Sequence, residues 1–318
     1  MGNVIIYINI TFTWIQVKYF KSVIKHYYNQ WRIIQNSSGV CFHAVHSNDL
    51  AIYKSKFHSL NINQFIKEVN RLKKFSKILP IEEYIDQVSD TNRKKGISTI
   101  TFDDAYKGLL KDAIPFLLSE SIPFTIFVNS ITLHNTLLWR DQFRSIMDSE
   151  NLQKFVKQLS KTDLAAMFEN GDLYKVSKQP HINSKLFHAQ LMKFGEENNL
   201  PAIDRNVYMS INDLIELQKK GIKIGNHTQN HYVLSSLSNN EQKHEIVHGR
   251  KDLESVGLNV VDVFAAPFGG YNTINQFTVD LLLELGYCGL LLTNGYSKVN
   301  KKLLPEMKGL TVMNRFLP

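Results

Sequence analysis

From Val40 onward, short apolar runs alternate with amphipathic stretches, which is the pattern of parallel strands joined by helices. Runs rich in β-branched and aromatic residues at 40–44, 97–102, 124–129, 222–225, 260–265 and 288–292 predict strands. Between them, apolar residues three or four apart predict helices over 63–75, 105–119, 211–220, 239–255 and 273–285. Ser238 with Glu241 forms a capping box, and Gly221, Gly257 and Gly286 suit left-handed helix ends. Residues 139–205 break the rhythm. They hold helical pieces at 143–147 and 152–159 but no clear strand, so they read as a helical insertion projecting from a barrel-like or open α/β core.

Ahead of this core, Phe20, Ile24, Tyr27, Trp31 and Ile34 form the stripe of an amphipathic helix. No Asp or Glu precedes Asp49, whereas Lys18, Lys21, Lys25 and Arg32 all do. Such a basic helix either docks on its own domain or lies on an anionic membrane surface as a peripheral contact. Residues 1–38 are therefore expected to be an N-terminal extension, and 39–318 one large domain. The apolar run 4–17 is too short to span a bilayer and is interrupted by Asn9, Thr11, Thr13 and Gln16. It lacks a basic leader and a small-residue cleavage site, so no secretory signal is expected and a cytoplasmic or peripheral membrane location is favoured. Cys41 and Cys288 offer neither a disulfide framework nor a thiolate zinc site. The net charge of +8 comes without a groove-reading motif, so no nucleic-acid partner is expected, and no oligomeric state is implied.

The chemistry concentrates at three predicted strand ends. Residues 97–104 read Ile-Ser-Thr-Ile-Thr-Phe-Asp-Asp, a β-rich run ending on two carboxylates. Neighbouring strand side chains point to opposite faces, so Asp103 and Asp104 can serve one site only where the chain leaves the sheet. Two close carboxylates resist double ionisation unless a cation intervenes. His227 and His231 follow the strand at 222–225 and would share a face if their segment were helical. His244 and His248 have the same spacing but flank Ile246 on a predicted helix, so they are expected to face solvent and bind nothing. The Thr-Gln after His227 lacks the glutamate that a His-Glu-x-x-His metalloprotease uses as base. The third strand end runs into Pro267, Phe268, Gly269, Gly270 and Tyr271, a tight turn whose amides could meet an oxyanion. Phe268, Tyr271 and Trp139 could stack on a sugar ring or simply fill core. Groups at the carboxyl ends of parallel strands gather on one face, so these motifs together fit a divalent-metal site, with zinc compatible.

In order, spacing and context, Thr101 to Asp104, His227 to His231 and Phe264 to Gly269 resemble the three motifs of the polysaccharide deacetylases of the nodulation-protein-B homology class, carbohydrate esterase family 4. The resemblance runs through roughly residues 40–317. It implies a distorted (β/α) barrel of about seven strands, with a divalent metal, zinc or alternatively cobalt or nickel, held by Asp104, His227 and His231. Asp103 becomes the general base that takes a proton from the attacking water. The implied reaction is removal of an N-acetyl group from an amino sugar of a glycan, an O-acetyl esterase or a glycan-binding module without turnover being the alternatives. Three departures stand out. Ala105 replaces the usual glycine and is expected to begin the following helix. Ala265 and Ala266 stand where many members carry an arginine that orients the base, which leaves Arg315 or Arg140 as substitutes. No histidine follows His248, so the general acid falls to His43 or His134.

Overall fold

Seven parallel strands close into a ring in a computed structural model that describes residues 38–46, 59–89, 95–147, 150–162, 164, 172–198, 206–293 and 308–318. The expected N-terminal helix lies outside these residues. The described strands are β1 (Ser38–Phe42), β2 (Ala44–His46), β3 (Ser59–Asn61), β4 (Lys77–Ile78), β5 (Ile97–Asp103), β6 (Thr125–Val128), β7 (Lys223–Asn226), β8 (Val260–Ala265), β9 (Gly289–Leu292) and β10 (Thr311–Phe316). β5 to β10 pair in sequence order, and β1 joins both ends of that row. It runs beside β5 from Ser38↔Ser98 to Phe42↔Phe102, and beside β10 at Gly39↔Arg315 and Val40↔Phe316. The small β4 adds to the start of β5, and β2 pairs with β3 outside the ring.

Every residue of β5 is buried, because one face packs on helices and the other fills the barrel. Ile100 and Phe102 join Phe65, Val69 and Leu72 of the helix Ile62–Phe75 in the outer core. Thr101 and Asp103 point to the opposite face, where Arg315 of β10 meets them. At the other end of the ring, Ile81, Tyr84, Ile85 and Val88 of the helix Ile81–Ser89 pack with Ile97 and Val261, residues at the starts of β5 and β8. Apolar packing thus plugs the lower end and leaves the upper end to polar groups. Gly225 makes room for this filling, since a Cβ there would sit 2.3 Å from the Phe127 ring.

The segment from 139 is helical where it is described, with helices Trp139–Ile146, Glu150–Leu159, Leu173–Val176 and Ser184–Glu197. Trp139, Phe143, Phe155, Phe187 and Phe194 give it a core of its own, joined to the barrel through Tyr232 and Leu237. No helix among the described residues is long and apolar enough to cross a membrane.

Several boundaries differ from expectation for local reasons. The predicted strand 40–44 splits into β1 and β2 at His43. Ala105 does not begin a helix; Asp104 and Ala105 are both left-handed, at φ 72° and 53°, and a 3₁₀ turn at Lys107–Leu110 precedes the helix Ala113–Ser119. The His227–His231 segment is an irregular loop, with Thr228 at φ 70° and His231 at φ 61°. β10 went unpredicted because its inward face carries Arg315 and its outward face Asn314, which breaks the apolar alternation expected of a strand.

Candidate active site

The last residue of β5, Asp103, turns its carboxylate into the upper barrel, where Arg315 meets it with both ends of the guanidinium. Nη1 donates to Oδ1 and Nη2 to Oδ2, each at 2.7 Å. The arginine is itself fixed, since Nη1 also donates to Thr101 Oγ1 at 3.0 Å and that hydroxyl donates to Val40 O. Burial alone would raise the Asp103 pKa, but the adjacent Arg315 charge overrides it and holds the group far below the usual carboxylate range. The Cys41 thiol, pushed up by its own burial, donates to Asp103 Oδ2 at 3.2 Å. Sequence patterns gave no hint of Cys41, which is a lone cysteine in an apolar run.

One residue later the left-handed turn swings Asp104 to the same side as its neighbour. Aspartate tolerates this conformation better than most residues. Its Oδ1 lies 3.6 Å from His227 Nε2 and 3.5 Å from His231 Nε2. The His227 ring is oriented through Nδ1, which sits 2.7 Å from Ala265 O and leaves Nε2 facing the carboxylate. His231 is brought in by its own left-handed backbone, with its N–H donating to Thr228 Oγ1 at 3.0 Å. Burial and then the Arg140 charge depress the His231 pKa well below its ordinary value, so the imidazole is neutral. Asp104 Oδ1 is buried with no hydrogen-bond partner, a costly state for a carboxylate oxygen. Two imidazole nitrogens converging on one orphaned oxygen fit a divalent cation such as zinc.

The remaining candidates separate clearly. Arg315 takes the place of the missing third-motif arginine on Asp103, whereas Arg140 bonds Asp104 Oδ2 and lies 3.2 Å from His231 Nε2. His43, half-buried at the end of β1, approaches Asp104 Oδ2 to 4.0 Å. His134 is exposed, as are His244 and His248, whose rings stack on each other at 4.0 Å. The rings of Phe268 and His231 meet edge to face, with centroids 4.6 Å apart. Gly269, at φ 62°, spends its amide on Ala266 O, and Pro267 has none to give, so neither supplies an oxyanion donor. Tyr271 accepts from Asn314 of β10. Trp139 is no open stacking surface: it is buried and donates Nε1 to His231 O at 3.0 Å. Beneath it lies a polar network that the sequence did not reveal, in which Tyr106 and Tyr208 both donate to Asp141, which also accepts from Arg144.

The sequence model for polysaccharide deacetylases matches residues 90–288, well over half of the chain. The chain belongs to the polysaccharide deacetylase family. The matched span holds the paired aspartates, His227 and His231, though not His43 or Arg315. Among solved structures, the Streptococcus pyogenes deacetylase PplD in complex with acetate is similar at 17% identity and a TM-score of 0.54, covering 88% of this chain and 90% of that one. A de-N-acetylase from Aggregatibacter actinomycetemcomitans follows at 14% identity and 0.53, covering 88% and 94%. IcaB from Ammonifex degensii gives 15% and 0.53, covering 89% and 92%. At these identities the likeness establishes the deacetylase barrel as the fold. No curated protein matches the sequence significantly.

Proposed function

We propose that this deacetylase-family protein is a metal-dependent hydrolase that removes N-acetyl groups from amino sugars of a polysaccharide or glycan precursor. One observation carries the reading: a buried, ionised Asp103 stands beside an orphaned Asp104 oxygen on which two imidazoles converge. A structural cation site has no need of that second carboxylate, and neither does a binding module without turnover.

Asp104, His227 and His231 would hold the cation, with His227 oriented by Ala265 O. When bound, such an ion supplies Lewis acidity toward the amide carbonyl and lowers the pKa of water in the site. Asp103, kept ionised by Arg315, takes the proton of the attacking water. His43 stands at the end of β1 near both carboxylates, 4.0 Å from Asp104 Oδ2, and we assign it the proton given to the departing amine. Phe268 beside His231 forms an apolar wall against which the acetyl methyl or the sugar ring can rest.

Acetate release from N-acetylglucosamine oligomers, with zinc or cobalt added, tests the assignment. Asp103→Asn should lose activity by at least about a hundredfold, the scale of a missing general base. Equal rates in the two proteins would sink the base, and no release from wild type on any N-acetylated oligomer would count against the whole reading.

A further inference from the structure

The side chain of Arg140 reaches from the first turn of the insertion helix Trp139–Ile146 into the proposed cation site. It is 4% exposed and makes three polar contacts there: Nη2 donates to Asp104 Oδ2 and to Tyr106 OH, the latter at 3.2 Å, and Nη1 lies 3.2 Å from His231 Nε2. The backbone behind it is pinned, because neighbouring Trp139 donates to His231 O and Asp141 accepts from Tyr106 and Tyr208.

The third contact decides what Arg140 does. A group that supports a metal ligand from outside ordinarily bonds the ligand atom that does not coordinate, as Ala265 O does at Nδ1 of His227. Arg140 instead addresses Nε2 of His231, the nitrogen that lies 3.5 Å from Asp104 Oδ1 and faces the ligand cluster. One imidazole lone pair cannot serve a guanidinium and a metal ion together. Nδ1 of the same ring, which a supporting partner would use, has none.

We propose that Arg140 is a resident counter-cation of the metal-free site, which the incoming metal must displace from His231. In the absence of metal, Arg140 compensates a carboxylate that would otherwise be buried without a full positive charge against it. On metal entry, Nη1 would leave His231 Nε2 while Nη2 keeps Asp104 Oδ2. The helical insertion, through this one side chain, thereby tunes how tightly the barrel holds its metal and keeps the empty site folded. The proposal rests on the reading of Asp104, His227 and His231 as ligands.

Zinc affinity measured by chelator competition, in wild type, Arg140→Gln and Arg140→Lys, tests it alongside melting of the metal-free proteins. Arg140→Gln should bind zinc about tenfold or more tighter, the scale at which groups around a ligand shift affinity. It should also melt lower without metal and gain more from added zinc than wild type does. Arg140→Lys, with charge but no fork, should fall between the two. Equal or weaker zinc binding by Arg140→Gln overturns the proposal, because Arg140 would then be a supporting group. Should the glutamine variant not fold, the lysine variant and a structure of zinc-loaded wild type decide. An Nη1 still within hydrogen-bond distance of His231 Nε2 with zinc bound also overturns it. Absence of zinc binding by wild type and variants alike would instead remove the metal site itself, a separate failure that leaves Arg140 as a structural cation.

Discussion

At Asp103, burial and charge pull in opposite directions, and the charge wins chiefly because Arg315 presents both of its nitrogens to both oxygens. Removing the arginine shifts the balance. With Arg315→Gln, the largest charge opposing burial is gone, so the carboxylate's pKa rises and the acidic limb of the kcat/KM profile should move to higher pH. Loss of one partner of a buried pair also costs about 3–5 kcal/mol of stability, readable as a lower melting temperature. An unmoved acidic limb would mean that Arg315 does not govern the base. The two aspartates and two histidines were legible from sequence because each stood at a strand end, where parallel strands collect their chemistry. The arginines were not separable there, since nothing in a one-dimensional pattern says which of Arg140 and Arg315 reaches which carboxylate. Cys41 lay hidden for a similar reason: its position beside Asp103 follows from the pairing of Cys41 with Thr101 across β1 and β5.

At the scale of elements, the site depends on turns more than on regular structure. Asp104, Thr228, His231 and Phe268 all have positive φ, in the left-handed region that non-glycine residues enter at a cost of roughly 1–3 kcal/mol when strained. A helical reading of His-x-x-x-His therefore brought the two rings together through the wrong geometry. What holds the histidine loop is the neighbouring helix Asn239–Ser255, whose Glu245 accepts from the Asn230 N–H at 2.8 Å and from its side-chain amide at 2.7 Å. Burial raises the Glu245 pKa to about 7 against the bonds from Asn230 and Thr228 that favour its charge. A carboxyl whose folded pKa exceeds its unfolded value contributes its full stability below the unfolded value, about 4.3, and loses it as pH rises through the folded one. Wild type should therefore lose up to about 3 kcal/mol relative to Glu245→Gln between pH 4.5 and 7, at 1.36 kcal/mol per unit. Melting curves of the pair across that interval check this, and a gap that stays constant with pH would show that Glu245 is not buried as a titrating acid.

For the whole molecule, the question is what makes seven strands a ring. The β/α alternation predicted most of the strands, and strand order along the chain then follows from the tendency of consecutive parallel strands in such folds to lie side by side. Closure was less visible, because the sealing strand β10 carries Arg315 and Asn314 where an apolar pattern was sought. Arg315 on its inward face is a consequence of where the strand ends, beside Asp103. β10 thus has two tasks, to join β9 to β1 and to deliver the arginine, and they can be separated. Arg315→Gln removes the second and keeps the first, so it should retain a cooperative melt at a lower temperature. A chain ended at Leu310 removes both: it leaves β9 and part of β1 with unpaired edges and withdraws Met313 and Phe316 from the cores they join. That chain should lose near-ultraviolet circular dichroism and cooperative unfolding altogether. A truncated chain that melts like Arg315→Gln would mean that the barrel stands open without its last strand, and that β10 serves the site alone.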